Sequence, residues 1–341
     1  MDIEKRALAA AENIEALITI DFRGRGMVRD LIKMVREISD QPPVLTAAKK
    51  LKDAGRPGDY VLIVTGLNSR GVMAETDGPV GAALLGRSLA LGLKLRPIFL
   101  INQEFRDIMS QTARAAGLNV FERKKFHQCK DRVSACSCVL PFPLDDEAAK
   151  KEAEGFLNEF APVSIVSIET RGMNRFGVCH TWNGEDVSYC EPKFNWLFAE
   201  ARKRGIFSVG IFDGCCTEIG YGKIRDRLLQ QFAHLSQCQC NCGGGIVDDT
   251  VVDAAIPAAV SNWGAYGIGA CLALLLQNER VLHDRDVEVR VIKECADAGA
   301  IEGVTGVPTV AVDDLPAAFH GEIVELLRTI VRYNIEGFRI E

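Results

Sequence analysis

The densest chemistry in this sequence lies at Asp213-Gly214-Cys215-Cys216-Thr217-Glu218-Ile219-Gly220-Tyr221-Gly222, where two carboxylates flank a loop. Glycines at 214, 220 and 222 allow close backbone approach. An acidic, Gly-rich loop suits an oxygen-ligated divalent metal that holds an anionic substrate. A turn leading into a capped helix would use the same residue types. Cys215 and Cys216 lie between the carboxylates, but no neighbouring His offers a base to activate them as nucleophiles.

Two more acidic segments share this character. In Glu75-Thr76-Asp77-Gly78-Pro79 the carboxylate pair fits a hard cation or an amine. The same residues also read as a helix start, with Asp77 as N-cap and Pro79 in the first turn. Just upstream, Thr65-Gly66 offers backbone N–H groups to an anionic ligand. In Glu169-Thr170-Arg171-Gly172 a carboxylate closes an apolar run, and its plain alternative is an ion pair with Arg171.

Cys238, Cys240 and Cys242 present three thiols ahead of Gly243, Gly244 and Gly245. The C-x-C-x-C spacing is not the C-x₂-C of common zinc sites, and the nearest fourth ligand is His234. The sequence alone therefore argues against a structural metal there, and the glycines read as backbone laid against a ligand or another loop. His127, His180, His234, His283 and His320 form no metal-ligand spacing. Asp248, Asp249 and Asp253 precede an apolar run broken by Ser261-Asn262-Trp263-Gly264-Ala265-Tyr266, whose Asn and Trp need hydrogen-bond partners if buried. There is no Walker A and no G-x-S-x-G, and Gly24-Arg25-Gly26 lacks the strand-then-helix context of a dinucleotide fingerprint.

The elements that must position these residues alternate. Strands are expected at 60–65, 96–102, 119–121, 163–168 and 206–212. Helices are expected at 77–91, 104–116, 145–160, 192–204, 223–235, 253–277, 286–298 and 316–331. Such alternation predicts an α/β fold of Rossmann-like type, a mostly parallel sheet flanked by helices. Ligands of such sheets sit outside the carboxyl ends of the strands, where Thr65-Gly66, Glu169 and Asp213 fall. One α/β domain is expected over residues 1–341, with the stretch at 141–146 as the alternative boundary between two lobes around one cleft.

The composition agrees with small-molecule chemistry. The 341 residues are 48% hydrophobic and 25% charged, ordinary globular values. A net charge of −6 disfavours nucleic acid as a partner, since phosphate neutralisation needs surplus Lys and Arg. The first residues carry no secretory pattern, and the apolar stretch at 265–276 is too short to span a bilayer. No membrane partner, a cytoplasmic location and twelve reduced cysteines are the corresponding expectations. A homo-oligomer is compatible with the sequence.

Taken in order, E-T-D-G-P at 75–79, E-x-R-G at 169–172, D-G-x-x-x-E-I-G-x-G at 213–222, S-N-W-G-A-Y-G at 261–267 and AGAIEGVTG at 298–306 resemble the D-glutamate cyclase family, in its C-terminal, glutamate-cyclase-like domain. The resemblance runs from about residue 16 to about residue 332. It implies a Rossmann-like lyase of D-amino acid metabolism that converts D-glutamate to 5-oxo-D-proline with loss of water. The family's acidic positions carry over to Glu75, Asp77, Glu169, Asp213, Glu218 and Asp253. The chain departs where relatives commonly read D-G-G-N-E, with Thr217 replacing an Asn.

That chemistry needs a base for the amine, a proton donor for the leaving oxygen and polarisation of a poor electrophile. The expected metal set is Asp77, Asp213, Glu218 and Asp253, holding Mn or Mg. Glu169 and Glu75 are the expected acid–base carboxylates, and Arg171 would pair a carboxylate of a small anionic substrate. Thr65, Gly66, Gly243, Gly244, Ser261 and Asn262 would bind substrate. Two other functions use the same parts: metal-dependent hydrolysis of a phosphate ester, and non-catalytic sensing of an amino acid or nucleotide.

Overall fold

A computed structural model describes residues 3–69, 72–129 and 133–335. Eleven strands are formed among the described residues: β1 Tyr60–Thr65, β2 Asn68–Ser69, β3 Met73–Ala74, β4 Arg96–Ile101, β5 Asn119–Phe121, β6 Cys136–Pro141, β7 Ser164–Ile168, β8 Phe207–Phe212, β9 Ala254–Pro257, β10 Ala311–Val312 and β11 Leu315–Pro316. Twelve α-helices accompany them. The first six are α1 Ile3–Ile18, α2 Met27–Arg36, α3 Pro43–Ala54, α4 Pro79–Gly92, α5 Arg106–Ala115 and α6 Arg123–Cys129. The rest are α7 Asp146–Phe160, α8 Asn195–Lys203, α9 Arg225–Gln231, α10 Ser261–Leu275, α11 Arg285–Asp297 and α12 Ala317–Asn334.

Seven strands make one parallel sheet in the order β5-β6-β4-β1-β7-β8-β9. The fold is α/β, as its near-continuous apolar strands require, since a parallel sheet is covered on both faces. The chain runs outward from β1 through β4 to β5 and β6. It then returns to β1's other side at β7 and continues to β8 and β9. β1 and β7 are therefore neighbours across the switch point, with Thr65 paired to Ile168. The crevice outside their carboxyl ends is where this topology opens for a ligand.

The segment 253–277, expected as one helix, is a strand, a turn and a helix. Ala254–Pro257 is the edge strand β9, where Pro257 needs no ladder partner for its missing N–H. The helix proper begins at Ser261. An apolar run has no period that separates a buried strand from a buried helix. In α10 every residue from Ser261 to Leu274 is buried. It lies against α1, α3, α4 and α12. Gly267 admits Ile18, Val44 and Ile14, and Gly269 admits Ser88 of α4. Helices α1, α2, α3 and α6 and strand β6 were not anticipated. The 141–146 stretch is the connection from β6 to α7, opened by Asp145 accepting from Ala148 N.

Candidate active site

Two helices begin at the crevice and fasten each other. Asp77 does not cap the helix that follows it, because Gly78 occupies the N-cap of α4 without a side-chain bond. Its carboxylate instead accepts from Ser261 N at 3.0 Å and Asn262 N at 2.9 Å, the first residues of α10. Asn262 answers: its Oδ1 accepts from Gly78 N at 3.0 Å and Gly81 N at 2.6 Å, at the start of α4. A Cβ at Gly81 would lie 2.6 Å from that oxygen, so only Gly permits the approach.

The remaining acids converge on this pair. Glu169 follows β7 with a left-handed φ of 45°, uncommon for a non-Gly residue, and its carboxylate accepts from Ser261 Oγ at 2.5 Å. Gly78 separates it from Thr65, since a Cβ there would lie 2.8 Å from Thr65 Oγ1 and 3.0 Å from Glu169 Cβ. After β8 the loop pairs backbone to backbone with the segment after β7, in an antiparallel bridge between residues Arg171 and Glu218, with Ile219 N donating to Thr170 O. This folds Asp213, Cys215 and Glu218 together, with one ligand atom of each within 4.8 Å of the others. Glu218 Oε1 accepts from Thr217 Oγ1 at 3.0 Å, whereas its Oε2 is buried with no partner, as is Thr65 Oγ1.

So many acids in so little water shift one another. Burial, then Asp213, pushes Glu218 up to about 8. Burial, then Asp213, pushes Asp77 up to about 7, against the pull of the α10 N–H groups. Burial pushes half-buried Glu75 up to about 7 as well. Glu169 is held well above the usual carboxylate range by burial and then by Asp213, Glu218, Asp77 and Glu75. Burial, then Asp213, Glu218 and Glu169, pushes the Cys215 thiol well above its ordinary range, which disfavours the thiolate that a nucleophile needs.

Arg171 is the buried cation beside them. Its Nε donates to Glu191 at 2.9 Å, and its Nη1 donates to His180 O at 2.5 Å and Thr217 Oγ1 at 3.2 Å. Among the described residues only Nη2 is left uncommitted for a ligand. Glu191 also accepts from Asn68 N, so it anchors the guanidinium to β2.

The chain that carries these motifs matches known proteins over most of its length. A family model described as D-glutamate cyclase-like, C-terminal, matches residues 14–328. The chain belongs to this family. The human protein D-glutamate cyclase, mitochondrial, is 27% identical over 350 residues, covering 93% of this chain and 51% of that protein. The chain spans about half the length of this curated relative.

Within this member of the D-glutamate cyclase-like family, the expected site residues divide. Glu75, Asp77, Glu169, Arg171, Asp213, Glu218, Thr65, Ser261 and Asn262 gather at the switch point. Gly66 is next to Thr65, where its φ of 95° and Ile101 exclude a side chain. Asp253 stands apart. It precedes β9, at the amino end of the sheet, and its exposed carboxylate accepts from Ser208 N and Oγ at 2.8 and 3.0 Å. Acidity alone could not show which end of a strand it would occupy.

Gly243 and Gly244 are also elsewhere, packed against Phe176 and Asn174. Their loop carries the three cysteines, and the fourth partner is not His234, which is exposed, but His180. The lack of any local spacing hid it, because His180 comes from a hairpin far earlier in the chain.

Asp313 was missed altogether. It sits with Asp314 in the two-residue turn between β10 and β11, both at positive φ as a type I′ hairpin requires. Burial, then Asp77 and Asp213, holds its carboxyl well above the usual range, and its Oδ2 lies 4.0 Å from Arg23 Nη2. Trp263 holds this hairpin, its Nε1 donating to His320 Nδ1 at 2.9 Å while His320 Nε2 faces Val312 O at 3.1 Å. With Nδ1 accepting, the ring is neutral and Nε2 donates. The tail segment closes the other flank: Gly303 lies against Glu75, where a Cβ would come 2.6 Å from Oε2.

Proposed function

We propose that this cluster is the active site of a metal-dependent lyase that closes D-glutamate to 5-oxo-D-proline with loss of water. The observation that carries the proposal is the convergence of Asp213 and Glu218 with Glu169 and Asp77 at the switch point, in a chain of this family. An acid-rich crevice with one committed guanidinium attracts an ammonium and repels a phosphate, which favours an amino acid over a phosphate ester. Twelve free cysteines are in keeping with a reducing, cytoplasmic setting. Among the described residues no helix is long and apolar enough to cross a membrane.

Ring closure joins the α-nitrogen to the γ-carboxyl carbon and breaks one γ C–O bond. The ammonium gives up two protons in all, and the departing oxygen takes two to leave as water, so the balance needs no external acid or base. Carboxyls raised toward neutrality suit such traffic. The substrate ammonium beside Glu169 favours its ionised form, in which it accepts a proton from the amine. Glu75, pushed up to about 7 by burial, holds the proton that the leaving oxygen takes. Arg171 Nη2 faces the substrate's other carboxylate. Asp213 and Glu218, with the unpartnered Glu218 Oε2 and with Asp77 beside them, would hold a divalent cation, which would supply Lewis-acid polarisation of the γ-carboxyl. Oxygen donors favour Mn or Mg.

The test is formation of 5-oxoproline from D-glutamate, followed by mass spectrometry with and without added Mn²⁺. Metal-dependent product from the wild type, absent from Asp213→Asn, supports the reading. Release of phosphate from simple esters, with no 5-oxoproline, would replace it with the hydrolase.

A further inference from the structure

We propose that His180, Cys238, Cys240 and Cys242 bind a structural zinc ion that holds the loop carrying Arg171. The four ligand atoms all lie within 4.8 Å of one another. His180 Nε2 is 3.2 Å from Cys240 Sγ and 3.8 Å from Cys242 Sγ. Cys238 Sγ is 3.5 Å from Cys242 Sγ and 3.6 Å from Cys240 Sγ. A tetrahedral zinc with arms of about 2.0–2.3 Å has edges of about 3.5–3.8 Å, so the set already has the right size. The sulfurs are too far apart for a disulfide, whose bond is about 2.05 Å.

A second observation points the same way. Cys242 Sγ receives two N–H groups, Asn174 Nδ2 at 3.1 Å and Gly244 N at 3.4 Å. A thiol is a weak acceptor, whereas a metal-bound thiolate gathers such donors in its outer shell. The backbone is shaped for convergence. Asn241 takes a left-handed φ of 57°, which turns the short C-x-C-x-C run back on itself. Opposite it, Gln239 N donates to Gly184 O at 2.8 Å, and a Cβ at Gly184 would lie 3.2 Å from Cys238 Cα. The two loops thus meet backbone to backbone, with the ligands between them.

Three thiolates and an imidazole select zinc over the Mn or Mg that carboxylates prefer. Four protein ligands leave no open position, so the ion is structural. Its consequence reaches the crevice through one residue. His180 supplies Nε2 to the cluster and its carbonyl to Arg171 Nη1. Fixing the imidazole therefore fixes an acceptor that orients the guanidinium. The inference stands on these residues and does not depend on the reaction proposed above.

The test uses full-length protein purified in reductant without chelator. Elemental mass spectrometry should find zinc stoichiometric with the wild type, with Asp213→Asn and with Cys129→Ser, and lost from Cys242→Ser and Cys238→Ser. Replacement of zinc by Co²⁺ in the wild type should give tetrahedral cobalt bands with intense thiolate charge transfer, a readout that needs no variant to fold. Chelation should speed hydrogen exchange across 172–191. Zinc retained by Cys242→Ser, zinc lost from Asp213→Asn alone, or a cobalt spectrum without thiolate bands would each overturn the proposal.

Discussion

Asp77 and Asn262 each cap the helix that the other precedes or opens, so the starts of α4 and α10 are tied by one reciprocal exchange. The exchange satisfies N–H groups that would otherwise be buried and orphaned. Replacing Asn262 with Ala strands Gly81 N and leaves Gly78 N only Asp77 Oδ1 at 3.1 Å, and should cost roughly 1–3 kcal/mol. Urea unfolding of Asn262→Ala, Asp77→Ala and the double variant should give strongly non-additive losses, because each single change already breaks the shared arrangement.

The raised carboxyls set a pH dependence of stability. Groups that hold their protons in the folded state up to about 7 or 8, against about 4 in the unfolded chain, make the folded state bind more protons across that window. Stability of the cation-free protein should therefore fall as pH rises from about 4 to about 8. Mn²⁺ favours the ionised forms, so it should raise Tm far more at the alkaline end than at the acidic end. A Mn²⁺ shift independent of pH would contradict the placement of the cation among these carboxylates.

Glu75→Gln keeps the shape of its side chain but removes the proton that the leaving oxygen takes. Turnover should drop by roughly 10²–10⁴-fold, the usual scale of general acid–base catalysis. Cys215→Ser, by contrast, should keep most activity, because burial beside carboxylates disfavours its thiolate and no step uses the thiol. Steady-state kinetics on the two variants distinguishes them.

Trp263→Phe preserves the aromatic packing against Phe22 and Phe319 but leaves His320 Nδ1 without its donor. The loss should be about 1–3 kcal/mol of stability. Because His320 also holds Val312 O, the Asp313 turn loosens, and turnover should fall by more than in Asp253→Asn. That variant lies at the far end of the sheet, so its turnover should match the wild type.

Much of the architecture was legible because strands β1, β4, β7 and β8 are apolar runs ending in polar or Gly residues. Those same ends located Thr65, Glu169 and Asp213. Asp253 was misplaced because β9 and α10 form one unbroken apolar stretch, in which the strand and its direction leave no periodic trace. His180 and Asp313 were hidden for a different reason. Each joins its partners only through tertiary folding, one from a hairpin sixty residues or so before the cysteines, the other from a turn whose two Asp residues look like ordinary loop polarity. Asp77 was legible as a cap, but its sequence neighbour was the wrong helix.

The acids of the crevice come from residues 75, 77, 169, 213, 218 and 313, so no contiguous piece of the chain contains them. Pairing β1 with β7 already closes a long loop, a slow step in folding. On the ribosome the N-terminal half would leave the exit tunnel with its carboxylates still in water and their repulsion unfelt. The electrostatic burden of the crevice falls on the protein only once the β10–β11 hairpin emerges and settles against α11 and α12. Assembly of the crevice thus waits on residues 311–316, and a fragment ending before them would lack Asp313.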